Sequence, residues 1–151
     1  MFEHVGRSKL PTYFSQAYRF TRPGGLFLNH GIITLSSRST LLRLVELVSP
    51  AEVLRLAEAA GFETRDVESL REHYALTLRR WVRRLEGRHA QAAQVAGEQS
   101  YRAWRLYMAG CARAFAMGRI GIVQALFSKS GEDGLSTLSL TRKDLYAPET
   151  G

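Results

Sequence analysis

One apolar segment restricts the fold of this chain more than any other feature. Residues 25–35, GLFLNHGIITL, are nearly continuous in leucine, phenylalanine and isoleucine, and only Asn29, His30 and Gly31 interrupt them. A run of this length after the turn sequence TRPGG predicts a strand that is buried on both faces of a sheet. Asn29 and His30 mark a place to look for chemistry, because a buried polar group needs a partner.

The rest of the chain alternates between helix and strand patterns. A helix is predicted over 10–20, and a second begins after Ser49, where Pro50 and the capping-box acid Glu52 follow the N-cap. FETRDVESL alternates as a strand, a long helical stretch follows, and IGIVQALFSKS is the last strand. The segment SSRSTLLRLVELV fits neither helix nor loop clearly. This order predicts an α/β fold with three strands and a long helical insertion.

Charge and cysteine content limit the classes of partner and site. The 151 residues carry 21 Lys and Arg against 14 Asp and Glu, a net charge of +7. That excess favours an anionic partner, such as nucleic acid, phosphate groups or an anionic lipid surface. We expect no nucleic-acid partner, because no helix-turn-helix, zinc or RNP pattern is present. Cys111 is the only cysteine, so an internal disulfide is excluded, no metal site is predicted, and a cytoplasmic location is expected.

Four arginines lie on one side of the predicted helix that follows residue 70. They are Arg79, Arg80, Arg83 and Arg84. Two interpretations stay open for them. They form a solvated helix face, or they contact anionic lipid head groups.

Several motifs in a fixed order carry a resemblance to a known family. In chain order they are MFEHVG, TRPGGLFLNHGI, AEAAGFETRDVESLREHYALTLRRW, SYRAWRLYMAGCARAFAMGRIGIVQALFSK and SLTRKDLY. The chain resembles the C-terminal half of the cyclopropane-fatty-acyl-phospholipid synthases, which include the mycolic-acid cyclopropane synthases. The resemblance implies the C-terminal half of a class I methyltransferase (Rossmann-like) domain, with the first strands missing. It assigns residues 1–130 to that domain and 131–151 to a polar C-terminal tail.

The resemblance also implies an activity, a cofactor and partners. Enzymes of the family transfer a methyl group from S-adenosylmethionine to a cis double bond of a membrane-lipid acyl chain. The implied partner is an unsaturated phospholipid acyl chain, met at the inner face of the membrane. The sequence contains no GxGxxG, and we predict no cofactor-binding residue in this chain. We therefore expect it to be inactive alone, as a truncated synthase that forms a homodimer or joins a complementing N-terminal half, or as a non-catalytic remnant.

A bicarbonate ion is the base that the resemblance implies, and its ligands match four positions here. They are Glu3 of FEHVG, His30 of NHGI, the backbone of Ile32, and Tyr74 of YALTL. Without the resemblance, Glu3 is an exposed acid, His30 is a core histidine and Tyr74 is ordinary helix packing. The family's site cysteine is expected upstream, so Cys111 is not assigned to this site.

Overall fold

The computed structural model describes residues 2–35 and 47–142, except for the side chain of Glu3. Most of the ambiguous segment SSRSTLLRLVELV lies outside the described residues. The described elements are short 3-10 helices at Phe2–His4 and Arg7–Lys9, α1 at Leu10–Phe20, β1 at Leu26–Thr34, α2 at Pro50–Ala59, β2 at Glu63–Ser69, α3 at Arg71–Glu86, α4 at His89–Ala96, α5 at Glu98–Ala116 and β3 at Ile120–Ser128.

The strands form a three-stranded sheet in the order β1-β3-β2, and β3 is antiparallel to both neighbours. The predicted α/β class is confirmed, as are the three strands and the long helical insertion between β2 and β3. One element differs from the expectation. Within the long helical stretch predicted after FETRDVESL, the segment GRHAQAAQVAGEQS contains a short separate helix, α4.

The first face of the sheet carries the larger core. Helices α1 and α2 cover it, and phenylalanine rings fill the space between them and the strands. The Phe27 ring stacks on Phe62 and Phe127, with ring centroids 5.4 and 6.2 Å apart, and Phe14 meets Phe127 edge-on at 6.2 Å. Odd-numbered residues of β1 and β3 supply this face because side chains alternate along a strand.

The second face of the sheet is covered by α3 and α5. The buried residues of this smaller core are Ala75, Leu78, Ala112, Phe115, Ile120 and Ile122. The guanidinium of Arg71, at the start of α3, donates to the carbonyl oxygens of Phe115 and Ala116 at the end of α5, at 2.8 and 3.3 Å. This contact satisfies carbonyls that a helix end leaves without partners. It also shows that the start of α3 meets the end of α5.

The prediction that β1 is buried on both faces is wrong for its first half. Asn29 is buried on the first face, whereas Leu28 is 54% exposed and His30 is exposed on the second. The reason is coverage: among the described residues, α3 and α5 contact only the later part of β1, where Ile32 joins their core. The apolar pattern of β1 alone does not indicate how much of the strand α3 and α5 cover, because these helices are distant in sequence.

The predicted N-cap of α2 is confirmed, but the capping box is only half formed. The Ser49 hydroxyl accepts a hydrogen bond from the backbone N–H of Glu52 at 3.2 Å. The Glu52 carboxylate does not return to Ser49. It accepts from the guanidinium of Arg7 instead, at 3.1 and 2.8 Å, because the second 3-10 helix brings that side chain alongside.

Gly61 ends α2 in a conformation that disfavours any side chain. Its φ is +106°, and an added Cβ would lie 2.9 Å from Cζ of the Tyr18 ring. We expect Gly61→Ala to lower the free energy of unfolding by about 1–3 kcal/mol. Urea denaturation of both proteins measures this difference.

Gly110 provides the matched control, since it lies inside α5 and an added Cβ there would meet no atom within 4 Å. Gly110→Ala should raise the free energy of unfolding by about 0.5–1 kcal/mol. Equal urea midpoints for the Gly61→Ala variant and the parent would contradict the close packing of Tyr18 on this turn.

Candidate active site

Three polar side chains form a row across the second face of the sheet. His30 of β1 lies directly opposite Gln124 of β3, and Gln124 lies opposite Glu68 of β2. Residues opposite each other in antiparallel strands project from the same face, so these side chains are neighbours. His30 and Glu68 are exposed and Gln124 is half-buried. We call His30, Gln124 and Glu68 the polar row.

Tyr74 of α3 lies on the same side of the sheet as His30. Its ring meets the rings of Phe115 and Trp81 edge-on, with centroids 4.9 and 6.2 Å apart. Both Tyr74 and Ile32 border the smaller core, and Ile32 is two residues beyond His30 on one face of β1. The Tyr74 hydroxyl forms no hydrogen bond with any residue that the structure describes. It is therefore free to donate to a ligand.

The backbone of Ile32 faces the outer edge of β1. The carbonyl of its cross-strand partner Ile122 accepts from the Leu70 N–H, so Ile122 directs its backbone groups to the β2 side. Ile32 is thus in a pair that exchanges no hydrogen bonds, and its N–H points away from β3. Thr34 is two residues further along β1, so its N–H points to the same side as that of Ile32. The Thr34 N–H donates to the Val48 carbonyl, outside the sheet, at 3.0 Å, which confirms this direction. No acceptor for the Ile32 N–H lies among the residues that the structure describes.

Glu3 is only partly placed. Its backbone belongs to the 3-10 helix Phe2–His4, which contacts β1 and buries Phe2 in the larger core. The carboxylate lies outside what the structure describes. The structure therefore brings His30, Ile32 and Tyr74 to one side of the sheet and places the backbone of Glu3 against the same strand.

Asn29 does not belong with His30. The Tyr13 hydroxyl donates to its Oδ1 at 3.1 Å on the first face, and its buried Nδ2 finds no hydrogen-bond partner among the described residues. Adjacent residues of a strand project from opposite faces. The two polar residues that interrupt β1 therefore do not form one site.

Tyr107 and Cys111 of α5 are hydrogen-bonded neighbours near Tyr74, and neither was assigned to the site from the sequence. Burial raises the pKa of the Cys111 thiol, although a hydrogen bond with Tyr107 acts in the opposite direction. The pKa of Tyr107 is raised by Cys111 first, then by burial, the hydrogen bond to Cys111 and the nearby Tyr74. Both groups therefore stay protonated at neutral pH. Their four-residue spacing on α5 is the signal that could have identified them as neighbours.

An aromatic surface continues from Tyr74 along the two helices. We call Tyr74 and Trp81 of α3, with Trp104 and Tyr107 of α5, the aromatic flank. Trp81, Trp104 and Tyr107 are 44%, 59% and 62% exposed, and the Trp104 and Tyr107 rings meet edge-on at 5.7 Å. Exposed aromatic residues grouped in this way are typical of a binding surface.

The fold is that of the C-terminal part of an S-adenosylmethionine-dependent methyltransferase. The cyclopropane synthase MmaA2 from Mycobacterium tuberculosis superposes with a TM-score of 0.80 at 25% identity, over 85% of this chain and 53% of that one. The mycolic acid cyclopropane synthase CmaA1, solved in complex with SAH and CTAB, superposes at 0.77 with 30% identity, over 85% and 52%.

The sequence comparisons agree with the structural ones. The profile of the mycolic acid cyclopropane synthetase family matches residues 1–125, and the chain belongs to that family. A "Probable fatty acid methyltransferase" of Pseudomonas putida is 40% identical over 97% of this chain and 40% of its own length. Cyclopropane mycolic acid synthase 1 of M. tuberculosis is 30% identical over 82% of this chain and 50% of its own. The chain thus spans half or less of these relatives.

The described residues do not fit a complete S-adenosylmethionine site. Cofactors of this kind bind at a glycine-rich turn between a strand and a helix, where backbone N–H groups approach the ligand closely. Between β1 and α2, residues 35–49 contain no glycine. None of the helices that the structure describes is long and apolar enough to cross a membrane.

Proposed function

We propose that this chain supplies the acyl-chain and base side of a cyclopropane-synthase-type methyltransferase. Its substrate in this proposal is the cis double bond of an unsaturated phospholipid acyl chain, reached at the cytoplasmic face of the membrane. The observation that supports it most is the aromatic flank, which starts at Tyr74 on the same side of the sheet as His30 and Ile32, in a chain of this family. An apolar surface that ends at unused hydrogen-bond donors suits a reaction on a hydrocarbon chain.

The donors near β1 fit a small oxyanion, which is the requirement for the proposed bicarbonate. The His30 imidazole, the Ile32 N–H and the Tyr74 hydroxyl can each donate to such an ion. Glu3 is proposed as the carboxylate that accepts a hydrogen bond from the O–H group of the bicarbonate ion. Bicarbonate held there would supply a base for the proton that the methylated acyl chain loses.

The aromatic flank performs two tasks in this proposal. Trp81, Trp104 and Tyr107 offer ring faces and edges against which methylene groups of an acyl chain are removed from water. Low water content strengthens the hydrogen bonds that His30 and Tyr74 make to the ion. Cys111 and Tyr107 stay neutral and add no charge near a developing cation.

A second candidate is a non-catalytic subunit that completes a partner carrying the cofactor half. The outer edge of β1 favours it, because the Ile32 N–H points there with no acceptor among the described residues, and an unpaired strand edge can serve as a template for another strand. A second copy of this chain competes for the same edge. Co-purification with a separate N-terminal half would support this candidate, and a stable homodimer without one would oppose it.

A chimera tests the proposed activity. This chain would replace the aligned C-terminal part of the P. putida relative, which supplies the remaining residues. With radiolabelled S-adenosylmethionine and vesicles of mono-unsaturated phospholipid, we expect label in the acyl chains and a product heavier by one methylene group. Vesicles of saturated phospholipid are the control and should stay unlabelled. A chimera that folds and binds the cofactor but labels neither lipid would contradict the proposal.

A further inference from the structure

The other flank of the helix pair carries a cationic cleft. A cavity of about 390 Å³ lies between α3 and α5, and three guanidinium groups line it, those of Arg79, Arg83 and Arg113. Apolar side chains line the rest, including Val82 and Met117, and no carboxylate contributes to the lining. On α3, Arg79 and Arg83 project from the side of the helix opposite Tyr74 and Trp81, as the spacing of 3.6 residues per turn requires. The cleft is therefore separate from the aromatic flank.

The three arginines have no partners within the described part of the chain. Three other arginines of the helical region are paired: Arg71 with carbonyls of α5, Arg102 with Glu98 at 2.7 Å, and Arg105 with Glu86 at 2.6 Å. Arg79, Arg83 and Arg113 form no hydrogen bond or ion pair with any residue that the structure describes. Like charges gathered around one cavity repel each other unless an anion lies between them.

The chemistry of the cleft selects a particular anion. Guanidinium groups bind phosphate oxygens through paired N–H donors, and three of them can surround one phosphate. A free phosphate ion would gain nothing from the apolar floor, whereas a phosphodiester attached to glycerol and acyl chains would cover it. We propose that this cleft binds the phosphodiester head group of an anionic phospholipid at a membrane surface. It holds the protein against the bilayer and does not take part in methyl transfer.

Vesicle sedimentation of the purified chain tests the proposal without any cofactor. The chain should bind vesicles of phosphatidylglycerol and leave vesicles of phosphatidylcholine in solution. Arg79→Gln, Arg83→Gln and Arg113→Gln combined should weaken binding to phosphatidylglycerol about tenfold or more, because three head-group contacts are lost. The matched control combines Arg80→Gln, Arg84→Gln and Arg88→Gln. It removes the same charge from unpaired arginines outside the cleft and should weaken binding less than about threefold.

A charge-neutral variant makes the test independent of arginine substitutions that harm folding. Ala109→Phe fills the floor of the cleft from an exposed helix position and leaves the net charge unchanged. It should also weaken binding to phosphatidylglycerol, with an unchanged urea midpoint. Because no step needs S-adenosylmethionine, failure here would leave the proposed methyl transfer untouched.

Several results would overturn the proposal. Equal losses in the cleft and control triple variants would reduce the interaction to general surface charge. Saturable binding of inorganic phosphate as tight as that of phosphatidylglycerol would indicate a free-phosphate site. Tighter binding of an unstructured RNA than of vesicles, lost in the cleft variant, would assign the cleft to nucleic acid.

Discussion

Replacing Phe127 with alanine is expected to lower the free energy of unfolding by about 3–5 kcal/mol. The ring of Phe127 is completely buried at the centre of the larger core. It touches the rings of Phe14, Phe27 and Phe62, with centroids 5.8 to 6.2 Å apart. Helix α1, strands β1 and β3 and the residue just before β2 meet at this cluster, so the cavity left by the ring cannot close without moving several elements at once. A loss of this size is a large part of the stability of a small domain.

Urea denaturation followed by circular dichroism measures this loss, and Phe20→Ala is the matched control. Phe20 is the same residue type at the end of α1, but its side chain is 78% exposed. Its replacement should change the free energy of unfolding by less than about 0.5 kcal/mol. Similar effects of the two substitutions would show that the aromatic cluster does not form the core of the fold.

In the chimera, Tyr74→Phe and His30→Gln should each lower kcat by about 100-fold, because each removes a donor to the proposed base. The KM for phospholipid should stay nearly constant, since neither change removes apolar surface from the aromatic flank. Activity of both variants should require a higher bicarbonate concentration than the parent chimera. A residue that only supports the fold would not shift that requirement.

His73→Gln is the control for these two substitutions. His73 precedes Tyr74 on α3 but is exposed and projects away from the sheet. Its replacement should leave kcat and the bicarbonate requirement within about twofold of the parent, as expected for a surface substitution. Parent-like kinetics of Tyr74→Phe would remove Tyr74 from the proposed site, whatever its position.

Local pattern was sufficient to predict the three described strands and every described α-helix except α4. Apolar residues at three- and four-residue steps defined α3 and α5, and the turn sequence TRPGG preceded β1 correctly. The N-cap at Ser49 was also predictable, because its hydrogen bond to Glu52 spans three residues. The partner of the Glu52 carboxylate was not, since Arg7 lies 45 residues away in sequence.

In the candidate site too, contacts between residues that are distant in sequence could not be predicted. The resemblance supplied His30, Ile32 and Tyr74, and the structure brings them to one side of the sheet. The polar row could not be predicted from the sequence. Gln124 and Glu68 lie in line with His30 only because of the register of three strands that are distant in sequence. Tyr107 and Cys111 could have been recognised as neighbours from their four-residue spacing on α5, but neither was assigned to the site.

The order β1-β3-β2 has a consequence for how the polypeptide becomes folded. Among the described strands, β3 comes last in sequence but lies in the middle of the sheet, so β1 and β2 are joined only when residues 120–128 are available. Pairing over such long sequence separations is slow and exposes apolar strands in the meantime. Within the described part of the chain, synthesis halted before Ile120 would therefore leave β1 and β2 without the strand that joins them.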